Sequence, residues 1–480
     1  MSLQGVLPFV LDFYAKKPIE FEISPAELTS DAGLLPIVQF DETIGLSERF
    51  AAALSDTRNA ALVNHSKLAM VRQRLYGILA DYEDQNDHDA LRSDPVFKLI
   101  CQRSPTDEDL ASQPTLSRFE NAVSVADLKR LRDVLCDEFL DAFVGTPSRI
   151  TFDVDAFDDP AHGQQQLVLY HGFYEQYQYL PIVFTCAETD MVALVGLRFG
   201  TCSASLGADD DLRYLTRRIR ERFPDVEIFV RGDCGFGVPM MYEVCEELRI
   251  THTFGLAMNA RLKAASEELL AQAEKQYAES GQKQRLFLPL SYQAASWDAP
   301  RQVTIKCEVH SRGTNRRAVS TNRAGWAILP GAVYEEYADR GESENRNKEL
   351  KRELSADRTS DHRFFANFFR LYLHAAALNL LIRLRRATSH ELQPEDVGVI
   401  SELLPEALPA SEKKTYFNRR RRDDALGEGF ACTWRTRLIK VAAEIRVSAR
   451  RIVVRLSASW PFTNEYVRIS KAVLAYTDNS

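Results

Sequence analysis

Three acidic sites in this chain stand where chemistry on a phosphodiester would need them. Asp153 and Asp155 lie two apart in RITFDVDAF, a segment that reads as a strand, so both side chains point to the same face. Asp233 sits where a second strand-like segment, EIFVRGD, runs into a turn flanked by Gly232 and Gly235. Ligand sites in open α/β sheets gather at such carboxyl ends of strands. Glu344 belongs to a helical segment with Tyr337, Arg340 and Lys351 at spacings i, i+3, i+7 and i+14. At the helical repeat these four fall within roughly 60° of one another, on one stripe.

Metal-assisted cleavage of a phosphodiester uses hard oxygen ligands to hold two Mg²⁺ ions about 3.5–4 Å apart. Each ion takes one or two carboxylates and keeps waters and phosphate oxygens as its other ligands. Two Asp from strand ends and one Glu from a helix suffice. Arg340 and Lys351, on the stripe of Glu344, would then grip DNA phosphates, and Tyr337 would contact a phosphate or sugar. Taken singly, each feature has an ordinary reading. An Asp at a strand end is usually a cap or turn residue, and a Tyr-Arg-Glu-Lys stripe is usually a solvated face with an i,i+4 pair, here Arg340 with Glu344.

The elements that must position these groups fall into blocks. Residues 1–147 are mostly helical after a short extended start, and Thr146-Pro147-Ser148 marks a boundary. Residues 148–260 read as three strands, helix, strand, helix, strand, which is an α/β sheet with helices on its faces. Residues 261–332 hold a polar helix and then alternating segments that predict an antiparallel hairpin set. Residues 333–386 return to helix, ending in the very apolar RFFANFFRLYLHAAALNLLIRLRR. Residues 387–480 begin as a linker with Pro394, Pro405 and Pro409 and end in a tail, RLIKVAAEIRVSARRIVVRLSASWP, that reads as a basic helix followed by a basic strand.

Hydrophobic residues make up 45% and charged residues 27% of the 480, ordinary for a globular chain with an ample core and excluding global disorder. The net charge of −8 hides an asymmetry. Residues 345–480 carry 25 Lys and Arg against 16 Asp and Glu, a surplus of nine positive charges, so residues 1–344 carry −17. A DNA contact is therefore expected on the C-terminal part. The eight cysteines include no CxxC pair, which argues against a zinc ribbon, and a reduced, cytoplasmic protein is expected.

With these residues in hand the chain resembles a family. Asp on a first strand, Asp in an R-G-D-x-G-F turn and Y-x2-R-x3-E-x6-K on a helix look like the DDE transposases of bacterial insertion sequences, with their Tyr-Arg-Glu-Lys signature matched at all four positions. The segments DVDAFDDPAHGQQQ at 153–166 and SQPTLSRFEN at 112–121 look like the branch named for insertion sequence 1380. The resemblance covers about residues 20–385. One departure is that relatives often place Thr shortly after the first Asp, where this chain has Ala156-Phe157.

The resemblance implies an α/β fold: an RNase H-like catalytic core (148–260 and 333–386) interrupted by the β-rich insertion (261–332), with a helical N-terminal region that recognises DNA ends and a basic C-terminal region for DNA binding or dimerisation. Asp155, Asp233 and Glu344 would be catalytic and hold two Mg²⁺ or Mn²⁺ ions, with Asp153 the alternative for the first. Tyr337, Arg340 and Lys351 would bind DNA, as would Arg118 in the N-terminal helix, Arg419 and Arg420 in the arginine run, and Arg450 and Arg451 in the tail. Trp297 or Trp326 would stack on a flipped base, as an insertion Trp does in related transposases. The implied partners are double-stranded DNA, both inverted-repeat ends and target, and a second copy in a synaptic homodimer. The implied place is the bacterial cytoplasm and nucleoid, and the implied activity is divalent-metal-dependent cut-and-paste transposition. A non-catalytic DNA-binding remnant and another RNase H-fold nuclease are the alternatives.

Overall fold

Segments rich in β-branched and aromatic residues form the eight strands of one mixed sheet: β1 (Arg149–Ala156), β2 (Ile182–Cys186), β3 (Val192–Gly196), β4 (Glu227–Gly232), β5 (Thr251–Leu256), β6 (Gln284–Tyr292), β7 (Arg301–His310) and β8 (Gly313–Thr321). The structure is a computed structural model that describes residues 6–11, 13, 16–161, 163–323, 328–389, 426 and 429–479. Across the sheet the order is β6-β7-β8-β5-β4-β1-β2-β3. Strands β1, β2 and β3 form an antiparallel meander. β4 runs parallel to β1, and β5 parallel to β4. β8 then pairs antiparallel with β5, so the predicted hairpin set extends the central sheet and does not stand apart from it.

Eight helices matter for the site: α1 (Lys67–Leu79), α2 (Val125–Leu140), α3 (Ala208–Arg222), α4 (Pro239–Glu247), α5 (Glu267–Ser280), α6 (Pro330–Ala338), α7 (Gly341–Lys348) and α8 (Phe364–Thr388). Helix α2 opens on a capping box in which Ser124 and Asp127 satisfy each other's backbone N–H groups. Pro239 and Pro330 open α4 and α6, where a missing N–H costs nothing.

Two large apolar clusters cover the sheet, and a small one seats Val333 and Tyr334 of α6 on Val319 of β8. Ile150, Phe152 and Val154 of β1 pack with α3, α4 and the end of α2. The other large cluster joins the N-terminal helices, α8 and the C-terminal tail to Val183, Val192 and Val195 of β2 and β3. Helix α8 is long and apolar enough to cross a membrane by length and composition, yet 89% of its most apolar stretch is buried inside the fold. It is a core helix, tied to the sheet edge by Asn379, whose amide exchanges hydrogen bonds with the backbone of Val192 at 2.9 and 2.8 Å. Its charged partner is Glu120, which is fully buried between Arg74 of α1 and Arg370 of α8, with an Nε–O distance of 2.6 Å on each side.

The tail departs from expectation. Of the tail expected to begin as a basic helix, only residues 437–439 are helical, as the end of the turn Arg435–Ile439, and Ala443–Val447 pairs with Ile452–Leu456 as a hairpin. Buried Ala443 and Ile445 alternate with more exposed Glu444 and Arg446, so a period of two decides the segment. A third strand, Glu27–Thr29, pairs with Ala443–Ile445 and joins the two ends of the chain in one small sheet. A last helix, Thr463–Asn479, lies against residues 34–44 and α8.

Candidate active site

Two residues apart on β1, Asp153 and Asp155 meet different fates. Asp153 lies inside the sheet directly across from Arg231 of β4. Arg231 donates from Nε and Nη2 to the two carboxylate oxygens at 2.6 and 2.7 Å, and from Nη1 to the carbonyl of Glu336 at 2.7 Å. Both oxygens of Asp153 are thus taken, and the side chain is 2% exposed. Asp155, at the strand end, is 23% exposed. Its Oδ1 accepts from the N–H of Ala156 at 2.9 Å, and its Oδ2 accepts from Asn347 Nδ2 at 3.1 Å. Burial pushes its carboxyl up to about 6; Arg340 opposes that, and the negative charge of Asp233 adds to it.

Asp233 follows β4 directly. Because Val154 pairs with Gly232, Asp155 and Asp233 are the next residues outward on neighbouring parallel strands, which lie about 5 Å apart. The turn is fixed by the N–H of Gly235, which donates to Asp233 Oδ1 at 2.8 Å. Gly255 of β5 makes room for it: a Cβ there would stand 2.7 Å from Tyr337 Oη and 2.9 Å from the backbone N of Cys234. No side chain fits that approach, so glycine lets β5, the Asp233 turn and Tyr337 close together.

The stripe of Tyr337, Arg340, Glu344 and Lys351 is not one straight helix. Tyr337 ends α6, Arg340 caps α7, Glu344 sits in α7, and Lys351 lies in the wider turn Glu349–Glu353. Glu336 clamps α6 to the sheet through ion pairs with Arg149 at 2.7 Å and with Arg323. Arg340 stands between the carboxylates, with Nη2 2.9 Å from Glu344 Oε1 and Nη1 3.5 Å from Asp155 Oδ2. Burial works against its charge, but Tyr337, Asp155, Glu344 and Asp233 together hold it above the usual arginine range. Lys351 turns to Asp158, just past β1, and forms an ion pair with it. Asn347, one turn after Glu344, was not singled out from the sequence, where an Asn on a polar helix carries no signal. Its Oδ1 is buried and has no hydrogen-bond partner.

Asp155, Asp233, Glu344, Arg340 and Tyr337 therefore share one end of the sheet, with a guanidinium in the midst of the acids. Among the described residues no three His, Cys, Asp or Glu side chains form a ready-made metal cluster. The donor chemistry nonetheless fits a hard divalent cation: carboxylate oxygens on two strand ends, the 61% exposed Glu344 paired with Arg340, and an amide oxygen without a partner.

The other expected contacts scatter. Trp297 is 7% exposed and packs edge-on against Tyr242 and Tyr292 at 5.2 and 5.5 Å, so its ring is core and has no free face for a base. Trp326, Arg419 and Arg420 lie outside the described residues. Arg118 is exposed on the helix Gln113–Asn121, its guanidinium 3.2 Å from Thr115 Oγ1. Arg450 and Arg451 are exposed in the turn of the C-terminal hairpin.

No curated protein matches the chain. A similar solved structure is the cryo-EM structure of a piggyBac transposase synaptic complex with hairpin DNA, 14% identical over 84% of this chain and 84% of that one, with a TM-score of 0.37. The model of one family, transposase DDE domain group 1, matches residues 12–400, the greater part of the chain and every acid of the site, and on that match the chain belongs to the DDE transposases.

Proposed function

We propose that this DDE transposase is the enzyme of an insertion sequence, in the branch named for insertion sequence 1380, and moves its element by a cut-and-paste route. The observation that carries the reading is the meeting of Asp155 and Asp233 at the ends of neighbouring parallel strands, with Glu344 joined to them through Arg340. The strand order β3-β2-β1-β4-β5, antiparallel then parallel, supports an RNase H-like core, with β6–β8 as its insertion. Residues 1–147 would recognise DNA ends, and 387–480 would bind DNA or a second copy.

Asp155, Asp233 and Glu344 are the residues that would hold Mg²⁺ or Mn²⁺; Asp153, spent on Arg231, is the weaker alternative. Two such ions, when bound, supply an activated water or 3′-hydroxyl and stabilise the leaving oxygen. The chain's own residues do the rest. Asn347 orients Asp155 through its Nδ2. Arg340 gives up its carboxylates and turns to the phosphate, which offers it bidentate acceptors. Tyr337 flanks it, and Lys351 adds charge beside Asp158. Hydrolysis at a transposon end frees a 3′-hydroxyl that attacks the opposite strand, closing a hairpin and releasing the flanking DNA; a second hydrolysis opens the hairpin and regenerates the 3′-hydroxyl that attacks the target, with two ends synapsed by a homodimer in the bacterial cytoplasm.

A nicking assay with Mg²⁺ or Mn²⁺ on DNA carrying the element's own ends tests this. Wild type nicks and joins, whereas Glu344→Gln binds the same DNA and does not cut. Binding without cleavage by the wild type would favour a non-catalytic remnant, and cutting without joining would favour another nuclease of this fold.

A further inference from the structure

Beside the acids the structure holds a cavity of about 360 Å³ whose walls come from the hairpin strands and from α6 and α7. Its charged lining is Arg285 of β6, Lys306 of β7, Arg317 of β8 and Arg340, with the rings of Tyr334 and Tyr337 beside them and Glu344 at one side.

Pairing across the strands makes this arrangement costly for the free protein. Lys306 and Arg317 are direct partners on neighbouring antiparallel strands, so their side chains share one face. Like charges placed opposite one another in a sheet destabilise it. Lys306 is 5% exposed, with Nζ 4.7 Å from the centroid of Tyr334 and 3.4 Å from Glu308. Burial first, and then the neighbouring arginines, push its ammonium below the usual lysine range against the pull of Glu308. Glu308 is already shared by Lys283 at 3.0 Å and Arg285 at 3.1 Å, and Arg285 also pairs with Glu335; neither acid has an ion pair with Arg317 among the described residues. Arg317 is exposed, and its guanidinium has neither a hydrogen bond nor an ion pair among the described residues. A fold that sets a partnerless arginine against a buried lysine, in a cavity opening beside Glu344, is short of one anion.

We infer that this cavity binds a backbone phosphodiester of the DNA strand engaged by the acids, with Arg317 and Lys306 as its principal ligands and Arg340 shared between the two sites. The inference rests on the transposase reading and adds to it a second phosphate position on the insertion side of Glu344. A phosphodiester suits the site because its two free oxygens answer an ammonium and a guanidinium together.

The test measures binding of the full-length protein to a short fluorescein-labelled duplex, without divalent metal, across a range of salt. Arg317→Glu should weaken binding about tenfold or more at low salt and reduce the slope of log K against log salt by about one. Arg317→Lys should keep both. Arg217→Glu, reversing a 66% exposed charge on α3 away from the cavity, should change neither. Arg317→Glu should also raise the melting temperature of the free protein, because it replaces a repulsion with a pair; a merely structural arginine would lower it. Wild-type affinity and slope in Arg317→Glu would overturn the phosphate site, as would failure of the wild type to bind the duplex. If that variant loses binding while the wild type fails to nick end-containing DNA, the phosphate site stands and the transposition reading falls. If Glu344→Gln abolishes nicking while Arg317→Glu binds normally, the reverse holds.

Discussion

Asn347 and Asp155 meet across the gap between α7 and β1: the amide Nδ2 donates to Oδ2 at 3.1 Å, while Asn347 Oδ1 is buried with no partner. Residues that orient a metal-binding carboxylate change affinity by about 10- to 100-fold when removed. Asn347→Ala should therefore raise the Mn²⁺ concentration for half-maximal nicking at least tenfold and weaken Mn²⁺ binding in calorimetry to a similar degree. DNA binding without metal should not change. An unaltered Mn²⁺ midpoint would remove Asn347 from this role.

Asp153 and Asp155 should separate cleanly by substitution. Asp153→Asn leaves Arg231 buried without its counter-charge, which costs about 3–5 kcal/mol. Asp155→Asn removes a carboxylate that burial pushes up to about 6, so that at pH 8 its charge is held at a cost. That variant should melt at or above the wild-type temperature at pH 8 and fail to nick. Thermal denaturation and the nicking assay, run side by side, check both. Activity retained in Asp155→Asn would move the first ligand elsewhere.

Asp159 gives the fold a pH dependence of its own. It is fully buried, Thr359 donates to its Oδ2, and its Oδ1 has no partner. Burial pushes its carboxyl up to about 8 against the Thr359 hydrogen bond, with Asp357 adding to the rise. A raised carboxyl favours the protonated form in the native state. Its stability contribution is full below the ordinary Asp range and is lost as pH climbs towards about 8. The wild type should thus melt lower at pH 8 than at pH 5 by more than Asp159→Asn does. Equal pH slopes in the two proteins would count against a buried neutral Asp159.

Glu120 carries the seam between α1 and α8. Burial opposes its charge, yet Arg370 and Arg74 hold its carboxyl below the usual range. Glu120→Gln strands two buried guanidinium groups and should cost about 3–5 kcal/mol, read as a lower urea midpoint. Since this pair of helices lies away from the acids, metal affinity measured on the folded variant should be unchanged.

The strands bearing Asp153, Asp155 and Asp233 were legible in the sequence because β-branched runs and a glycine turn are local signals. So was the hairpin set, whose alternation is visible over each strand. The break between α6 and α7 was not, since the Tyr337-to-Lys351 stripe keeps helical phase through the kink at Arg340. For Trp297 the sequence offered both hairpin packing and base stacking; what decides for packing is its enclosure by Tyr242 and Tyr292, which the fold brings to it. Asn347 and Gly255 escaped notice for the same reason: what each does depends on an atom more than 80 residues away. The tail was misread where RLIKVAAEIRV suits a helix locally, while its pairing with Glu27–Thr29 depends on the opposite end of the chain.

That pairing also governs how the polypeptide is born. Residues 27–29 find their neighbours at 443–445 only after more than 400 further residues have been made. Until then these residues lack their strand partner in this sheet, and their backbone N–H and C=O groups stay open to pairing with other chains. Translation cut short before residue 443 would yield products that cannot complete this seam, and the cell's proteases and chaperones would meet them as aggregation-prone fragments.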